Sequence, residues 1–416
     1  MVTKKYITCI IIAFVAITAI GLIGSVSPQR TSGDFDVYYS ASLNYLAKSP
    51  IYIPHEGIEE FKYLPLFALF FSSLAIFGKI PALYLWSILN IFLIYFMFYF
   101  LYKLRQISFD SFKDFLIIFF LFAATGRFLF ANIKIGQANI ILCFFLVLTM
   151  YFEINKKYLW AALALALSLM IKLSPLLFLG YFILRKRFKL AGYTILLTLV
   201  FLLLPAIYCG FGLNLKYLQE WGSLLRSSPV ALFYSVKNYS LLAFWSWFFV
   251  VRHEPFLTLD YHLITKGLTP AVYYAWAISC ITLFSLFFCD TFFKKDKKRE
   301  IVYLDYACLF VCAVLFNPLS YLNTLTLLII PYFFILRYLF YFKLPKVWSR
   351  AAIVLLVASF ILPMAYNKFF FSDIKQFNDS LIFRLPMLTT ILVYLCLLFI
   401  KLSLKSKSEP VSSRPL

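Results

Sequence analysis

Residues 82–102 read ALYLWSILNIFLIYFMFYFLY, an uncharged run that stops at Lys103. A helix of that length spans about 30 Å, the hydrocarbon thickness of a bilayer. Runs of the same kind recur along the 416 residues, most of them closed by Lys or Arg. At 63% hydrophobic, 14% charged and a mean hydropathy of +0.87, the composition excludes an ordinary soluble globular protein. The 50 Phe and 29 Tyr suit interfacial belts and lipid contact. The fold class expected is an all-α polytopic membrane protein.

The net charge of +21 invites a nucleic-acid reading, but the basic residues fall in short clusters between apolar runs. These are Lys4-Lys5, Lys103/Arg105/Lys113, Lys156-Lys157, Arg185–Lys189, Lys294–Arg299, Lys343/Lys346/Arg350 and Lys401/Lys405/Lys407. That is the pattern of cytoplasmic loops, and no nucleic-acid partner is expected. The eight cysteines show no CxxC pair and read as small core residues, without a metal site or disulfide framework. The apolar run Tyr6–Ile23 is followed by no small-residue cleavage site and reads as a retained first span.

Placing every basic cluster inside fixes the topology by parity. Leu64–Phe77 is too short to cross and is expected to be re-entrant or interfacial. Hairpins are expected from Lys113 to Lys156, with the tip at Arg127–Asn139, and from Tyr158 to Arg185, with the tip at Lys172–Pro175. The total is about 12 spans with both termini inside. Residues 1–400 form a single membrane domain with a first external loop at about 25–63, a larger one at about 210–270, and a cytoplasmic tail at 401–416. Polar interruptions far apart in sequence then share the non-cytoplasmic face.

The candidate site residues lie in those interruptions. Gly33-Asp34-Phe35-Asp36-Val37-Tyr38-Tyr39 opens an amphipathic helix, in a chain with only 18 Asp and Glu. Asp34 fits a general base for a substrate hydroxyl, and it equally fits a helix N-cap. Asp34 and Tyr38 share a face, whereas Asp36 points about 200° away. Lys62, in the Phe61–Pro65 step, suits a lipid phosphate or an interfacial anchor. Arg127 and Lys134 are basic charges against the positive-inside trend, which points to phosphate binding. Lys172 suits the same role, or snorkelling to the surface. Gln137 and Asn139, after Gly136, suit sugar hydroxyls or helix capping. Lys237–Ser240 and Asn317–Asn323 are further polar breaks, and His55, His253 and His262 lack metal-ligand spacing.

Taken in order, these segments resemble glycosyltransferase family 87, the polyprenol-phosphate-mannose-dependent mannosyltransferases of the GT-C fold. The resemblance rests on D-x-x-V-Y-Y-x-A at Asp34–Ala41, F-x-Y-x-P at Phe61–Pro65, G-Q-x-N at Gly136–Asn139 and K-L-x-P at Lys172–Pro175. Fainter steps are N-x-S-L at Asn238–Leu241 and Pro-x-Ser-aromatic at Pro318–Tyr321. It implies a cell-envelope glycosyltransferase of GT-C type in a bacterial inner membrane. Such an enzyme takes a hexose, mannose first, from a polyprenyl-phosphate donor with inversion and passes it to a glycolipid or glycan acceptor. It implies Asp34 as base, Lys62, Arg127, Lys134 and Lys172 toward the donor phosphate, and Asp36, Tyr38, Tyr63, Gln137, Asn139, Asn238 and Asn323 toward sugar or acceptor. Neither cofactor nor metal is implied, because the donor leaves as a lipid monophosphate. Studied members carry a His where this chain has Asn323, which cannot shuttle a proton as His does.

The main rival is a secondary transporter or flippase, which predicts mid-span ionisable residues and two related halves. Few mid-span charges and no internal repeat are evident in the sequence. A lipid-glycan polymerase or ligase would more typically use paired external arginines. A membrane scaffold leaves the one-sided polar breaks without a reason.

Overall fold

The computed structural model describes residues 33–53, 60–104, 106–107, 111–226, 233, 238–249, 269–293, 298–342, 344–365 and 385–406. The expected first span, the three histidines and Lys237 lie outside the described residues. Every regular element described is helical. In chain order the helices are α1 (Asp34–Leu46), α2 (Pro65–Ala75), α3 (Lys79–Lys103), α4 (Phe112–Ile135), α5 (Asn139–Ile154), α6 (Tyr158–Ile171), α7 (Leu176–Leu184), α8 (Phe188–Leu203), α9 (Ala206–Cys209) and α10 (Phe211–Arg226). After these come α11 (Leu241–Phe249), α12 (Pro270–Phe293), α13 (Arg299–Leu315), a 3₁₀ segment (Leu322–Leu328), α14 (Ile329–Tyr341), α15 (Lys346–Ala365) and α16 (Leu385–Ser406).

The protein is a multi-pass integral membrane protein. Among the described residues, 6 helices have the length and apolar composition to cross a bilayer: Lys79–Lys103, Phe112–Ile135, Phe188–Cys209, Pro270–Cys289, Leu322–Tyr341 and Met387–Leu404. This corrects the expectation of about 12 spans. Part of the shortfall comes from breaks within apolar runs, and the expected first span lies outside the described residues. The Asn155–Lys157 turn and the Pro175 break leave α5, α6 and α7 with 16, 14 and 9 residues. At 1.5 Å per residue those helices reach only about 24, 21 and 14 Å, short of the hydrocarbon core. Helix α2, on the run expected to be too short, has 11 residues. Helices α3 and α8 show large apolar side chains at the surface, Phe92, Tyr95, Leu196 and Leu199 among them, as lipid contact requires.

The described residues form two compact units. One holds the residues up to Phe115 together with Arg127–Ser228; the other holds Leu116–Gly126 and the residues from Pro229 onward. In the first, α5 and α6 make a hairpin, α6 packs on α8, and α1 packs on α2. At the Ile154 end of α5, buried Glu153 accepts from Arg187 Nε at 3.1 Å, with Arg185 at 3.9 Å. The basic cluster Arg185–Lys189 is thereby tied to the end of α5 opposite Asn139.

In the second unit α13 is buried at every residue from Ile301 to Leu315 and touches α12, α14 and α16. Its Asp305, wholly buried, receives Lys401 Nζ of α16 at 2.7 Å. The same ammonium donates to the Phe287 carbonyl of α12 at 2.6 Å and lies 4.3 Å from the Phe287 ring centroid. Lys401, expected to open a cytoplasmic tail, therefore lies inside a helix and within packing. Removing one member of a buried pair strands the other charge. Asp305→Ala is expected to lower stability by about 3–5 kcal/mol, whereas Asp305→Leu with Lys401→Met restores most of it. Thermal unfolding of the three purified proteins in detergent checks this, and equal midpoints for wild type and Asp305→Ala would contradict it.

Candidate functional site

Helix α1 begins where Gly33, in extended backbone (φ −116, ψ −177), hands over to Asp34. Gly33 brings no side chain to the cap, and its carbonyl accepts Asp36 N at 2.9 Å. Asp34 is thus the first helical residue rather than the cap, with its half-buried carboxylate at the positive end of the helix dipole. At its far end α1 is fixed by tyrosines. Tyr45 Oη donates to the Pro205 carbonyl at 2.8 Å, Tyr208 Oη to Leu46 at 2.8 Å and Tyr217 Oη to Ser49 at 2.6 Å.

The start of α1 presses on the end of α4. A Cβ on Gly33 would come within 2.9 Å of the Ile135 carbonyl oxygen, and one on Gly136 within 2.6 Å of Phe35 Cβ. Gly136 also sits at φ +74, a region open to glycine and strained for other residues. It closes α4 with the two bonds of a Schellman turn, Gln137 N to the Asn132 carbonyl and Gly136 N to the Ile133 carbonyl. Two side chains hold this turn from outside. Trp86 Nε1 donates to the Gly136 carbonyl at 2.8 Å, and Asn132 Nδ2 to the Gln137 carbonyl at 2.8 Å. Neither Trp86 nor Asn132 stands out in the sequence, since a Trp in an apolar run and an Asn one turn before a glycine are commonplace.

The G-Q-A-N step delivers Gln137 and Asn139 beside α1. Tyr38, fully buried, has Tyr63, Phe67, Phe71 and Trp86 around its ring, with centroids 4.9–6.0 Å away. Its hydroxyl lies 2.6 Å from Tyr63 Oη, and the two phenols share Gln137 Oε1 as acceptor at 3.4 and 3.2 Å. Burial, with Tyr63 and then Asp34 adding to it, raises the Tyr38 phenol well above its usual range and keeps the proton on. From the returning arm of the α5–α6 hairpin, Lys172 follows Ile171 in extended backbone, and its Nζ donates to Asn139 Oδ1 at 2.5 Å. Burial brings the Lys172 ammonium down to about 8, while the charge of Asp34 works in the opposite direction.

Asp34, Tyr38, Tyr63, Gln137, Asn139 and Lys172 therefore gather from four separate segments into one cluster. It offers a carboxylate able to take a proton, an ammonium able to meet an anion, and phenol and amide groups suited to hydroxyls. Asp36 stands apart, paired with Lys79 at 3.1 Å. The main-chain carbonyl of Lys62 accepts from Trp221 Nε1 at 3.2 Å, and its ammonium has no hydrogen-bond partner among the described residues. Arg127, expected at a loop tip, lies within α4, because the Phe128–Ile135 stretch stays helical until Gly136. Lys134 is exposed on the last turn of α4, where a cation suits the helix C-terminus.

In the other unit, Asn238 opens the first of the fainter sequence steps, and Asn323 follows the second by two residues. Asn238 is wholly buried; its Nδ2 donates to the Pro318 carbonyl at 2.9 Å and its Oδ1 accepts from Ser240 N and Ser320 N. That amide stitches 238–240 to 318–320. Asn323 Oδ1 accepts from Thr324 Oγ1 at 3.4 Å. Buried Asp114 belongs to the Ser111-capped first turn of α4, about 30 Å of helix rise from Gly136. No group of three or more His, Cys, Asp or Glu side chains among the described residues is arranged to hold a metal.

The sequence model of glycosyltransferase family 87 matches residues 61–318, more than half of the chain. The match takes in the F-x-Y-x-P, G-Q-x-N and K-L-x-P steps and begins after Asp34, whose place beside them comes from the packing of α1. Among curated proteins and among solved structures no similar protein is found.

The Gly136 contact can be tested directly. Gly136→Ala adds a left-handed strain of about 1–2 kcal/mol and an overlap with Phe35. The expected outcome is a lower unfolding midpoint together with a loss of function larger than the fraction unfolded explains. Circular dichroism melts alongside transfer assays measure both, and a variant with wild-type stability and activity would contradict the packing.

Proposed function

We propose that this chain, which belongs to glycosyltransferase family 87, is an inverting hexosyltransferase of GT-C architecture that uses a polyprenyl-phosphate-sugar donor. The observation that carries the reading is that Asp34 and Lys172 gather at the Gly136–Asn139 turn, where the carboxylate's charge bears on the ammonium. Transfer needs a base for the acceptor hydroxyl and a cation for the departing phosphate, and the cluster supplies one of each. As the acceptor oxygen attacks the anomeric carbon, Asp34 takes its proton. The bond from that carbon to the phosphate oxygen breaks, the electron pair leaves with the lipid phosphate, and Lys172 balances the growing charge. Attack from the side opposite the leaving group inverts the anomeric centre. The Gln137 amide, fixed by Tyr38 and Tyr63, is suited to a sugar or acceptor hydroxyl. Mannose is the first sugar to try, on the family resemblance, with a glycolipid or glycan as acceptor.

The position of the cluster supports a non-cytoplasmic face. Asn139 and Lys172 lie at one end of the α5–α6 hairpin, and Glu153 with Arg185 and Arg187 at the other. The positive-inside rule assigns the arginine end to the cytoplasm. A bacterial inner membrane and a single catalytic domain over residues 1–400 complete the proposal. The buried Asp305–Lys401 pair is the feature closest to a transporter's ionisable core, but its groups are already matched to each other and to Phe287.

Two outcomes follow. In a deletion strain whose glycan and glycolipid profile shows a missing sugar, Asp34→Asn is expected to insert normally and to give at least about 100-fold less product than wild type. Full restoration would remove Asp34 from the role of base. The donor is a phosphodiester of constant single charge, whereas Lys172 is charged below about 8 and neutral above it. Donor affinity is therefore expected to fall as pH rises through about 8, and Lys172→Arg to flatten that fall. A pH series of donor titrations in detergent checks this, and pH-independent binding would exclude Lys172 from the phosphate.

A further inference from the structure

Asn139 is completely buried at the first position of α5. A lysine ammonium has donors and no acceptor, so the carboxamide must turn its oxygen toward Lys172, and the 2.5 Å contact shows that it does. The orientation of the amide is thereby fixed, and its NH₂ group is a committed donor. That nitrogen, Asn139 Nδ2, is buried and has no hydrogen-bond partner among the described residues. Leaving such a donor unmet is destabilising, a penalty a ligand acceptor removes. Residue 139 also opens a helix of 16 residues. The first-turn N–H groups of a helix have no acceptor within it, and the dipole there favours negative charge. The Asn139 amide nitrogen, the ammonium of Lys172 and the start of α5 are therefore three sets of donors side by side, with the Asp34 carboxylate as the neighbouring acidic group.

A sugar hydroxyl both gives and takes a hydrogen bond, whereas a non-bridging phosphate oxygen only takes. We propose that Asn139 Nδ2, together with Lys172 and the first turn of α5, seats a phosphate oxygen of the lipid-phosphate donor, so that Asn139 reads the phosphate rather than the sugar. The inference rests on the donor class proposed above and gives Asn139 a role different from the hydroxyl binding implied by the sequence. Asn139→Asp is the decisive variant. It keeps an oxygen for Lys172 and replaces the free donor with a second oxygen, which repels phosphate but accepts readily from a sugar hydroxyl.

The probe is a short-chain polyprenyl monophosphate without sugar, titrated into the purified full chain in nanodiscs. Wild type is expected to bind, Asn139→Ala to bind about tenfold more weakly, and Asn139→Asp more weakly still. If Asn139→Asp does not fold, Asn139→Ala alone decides, since a sugar-reading amide leaves the affinity for a sugar-free lipid unchanged. Unchanged binding by the folded variants overturns the role of Asn139 and leaves the donor class standing. Absence of binding by wild type overturns the donor class, and this inference with it. Inorganic phosphate is expected to compete weakly because it lacks the chain; equal affinity for both would make this a free-phosphate site and overturn the lipid assignment.

Discussion

The backbone of Gly33–Phe35 lies directly on the turn that ends α4, at a distance that leaves no room for a Cβ on either glycine. The rest of the cluster depends on that contact. It places the first turn of α1 beside the Gly136–Asn139 turn, so that the charge of Asp34 bears on the Lys172 ammonium held by Asn139. The contact is possible because the α4 terminus satisfies itself: the Schellman bonds quench its last carbonyls, while Trp86 and Asn132 take up the two carbonyls of the turn. A turn left to water would hydrate and move, and Asp34 would move with it.

The short helices serve the same end. Helices α5 and α6 stop well before the length of a full crossing, so Asn139 and Lys172, at the open end of the hairpin, lie only about 21–24 Å of helix rise from the turn that joins the two helices. A lysine held there loses hydration and is restrained by Asn139. At the other end Glu153 gathers two arginines, so the hairpin carries cations at both ends, one set tied to a carboxylate and the other to an amide. An amide partner leaves the positive charge of Lys172 unbalanced by its nearest contact, as anion binding requires. In the second unit the opposite arrangement holds, with Lys401 matched by Asp305, and that charge is structural.

Much of this cluster was legible in the sequence. Helical phase separated Asp34 from Asp36, and Asp36 turns out to hold Lys79. The proline after Lys172 and the glycine before Gln137 marked two turns whose polar residues meet. The number of spans was not legible, because hydropathy reports an apolar run and not the break inside it: Tyr158–Leu184 reads as a hairpin but folds into helices of 14 and 9 residues. A charge such as Arg127 ordinarily marks a loop in an apolar chain, whereas here the residues after it carry α4 through to Gly136. The role of Asn238 lay beyond the sequence for another reason. Its partners lie about 80 positions away, and only the folded chain shows its amide joining Pro318 and Ser320.

The unmet amide of Asn139 has a consequence beyond recognition. A donor buried without an acceptor makes the empty protein less stable than the occupied one, so folding and occupancy are thermodynamically linked. Whatever completes Asn139 raises the free energy of unfolding by an amount that grows with its concentration. A ligand that completes Asn139 therefore also shields the chain from proteolysis, because less of the occupied protein is open at any moment.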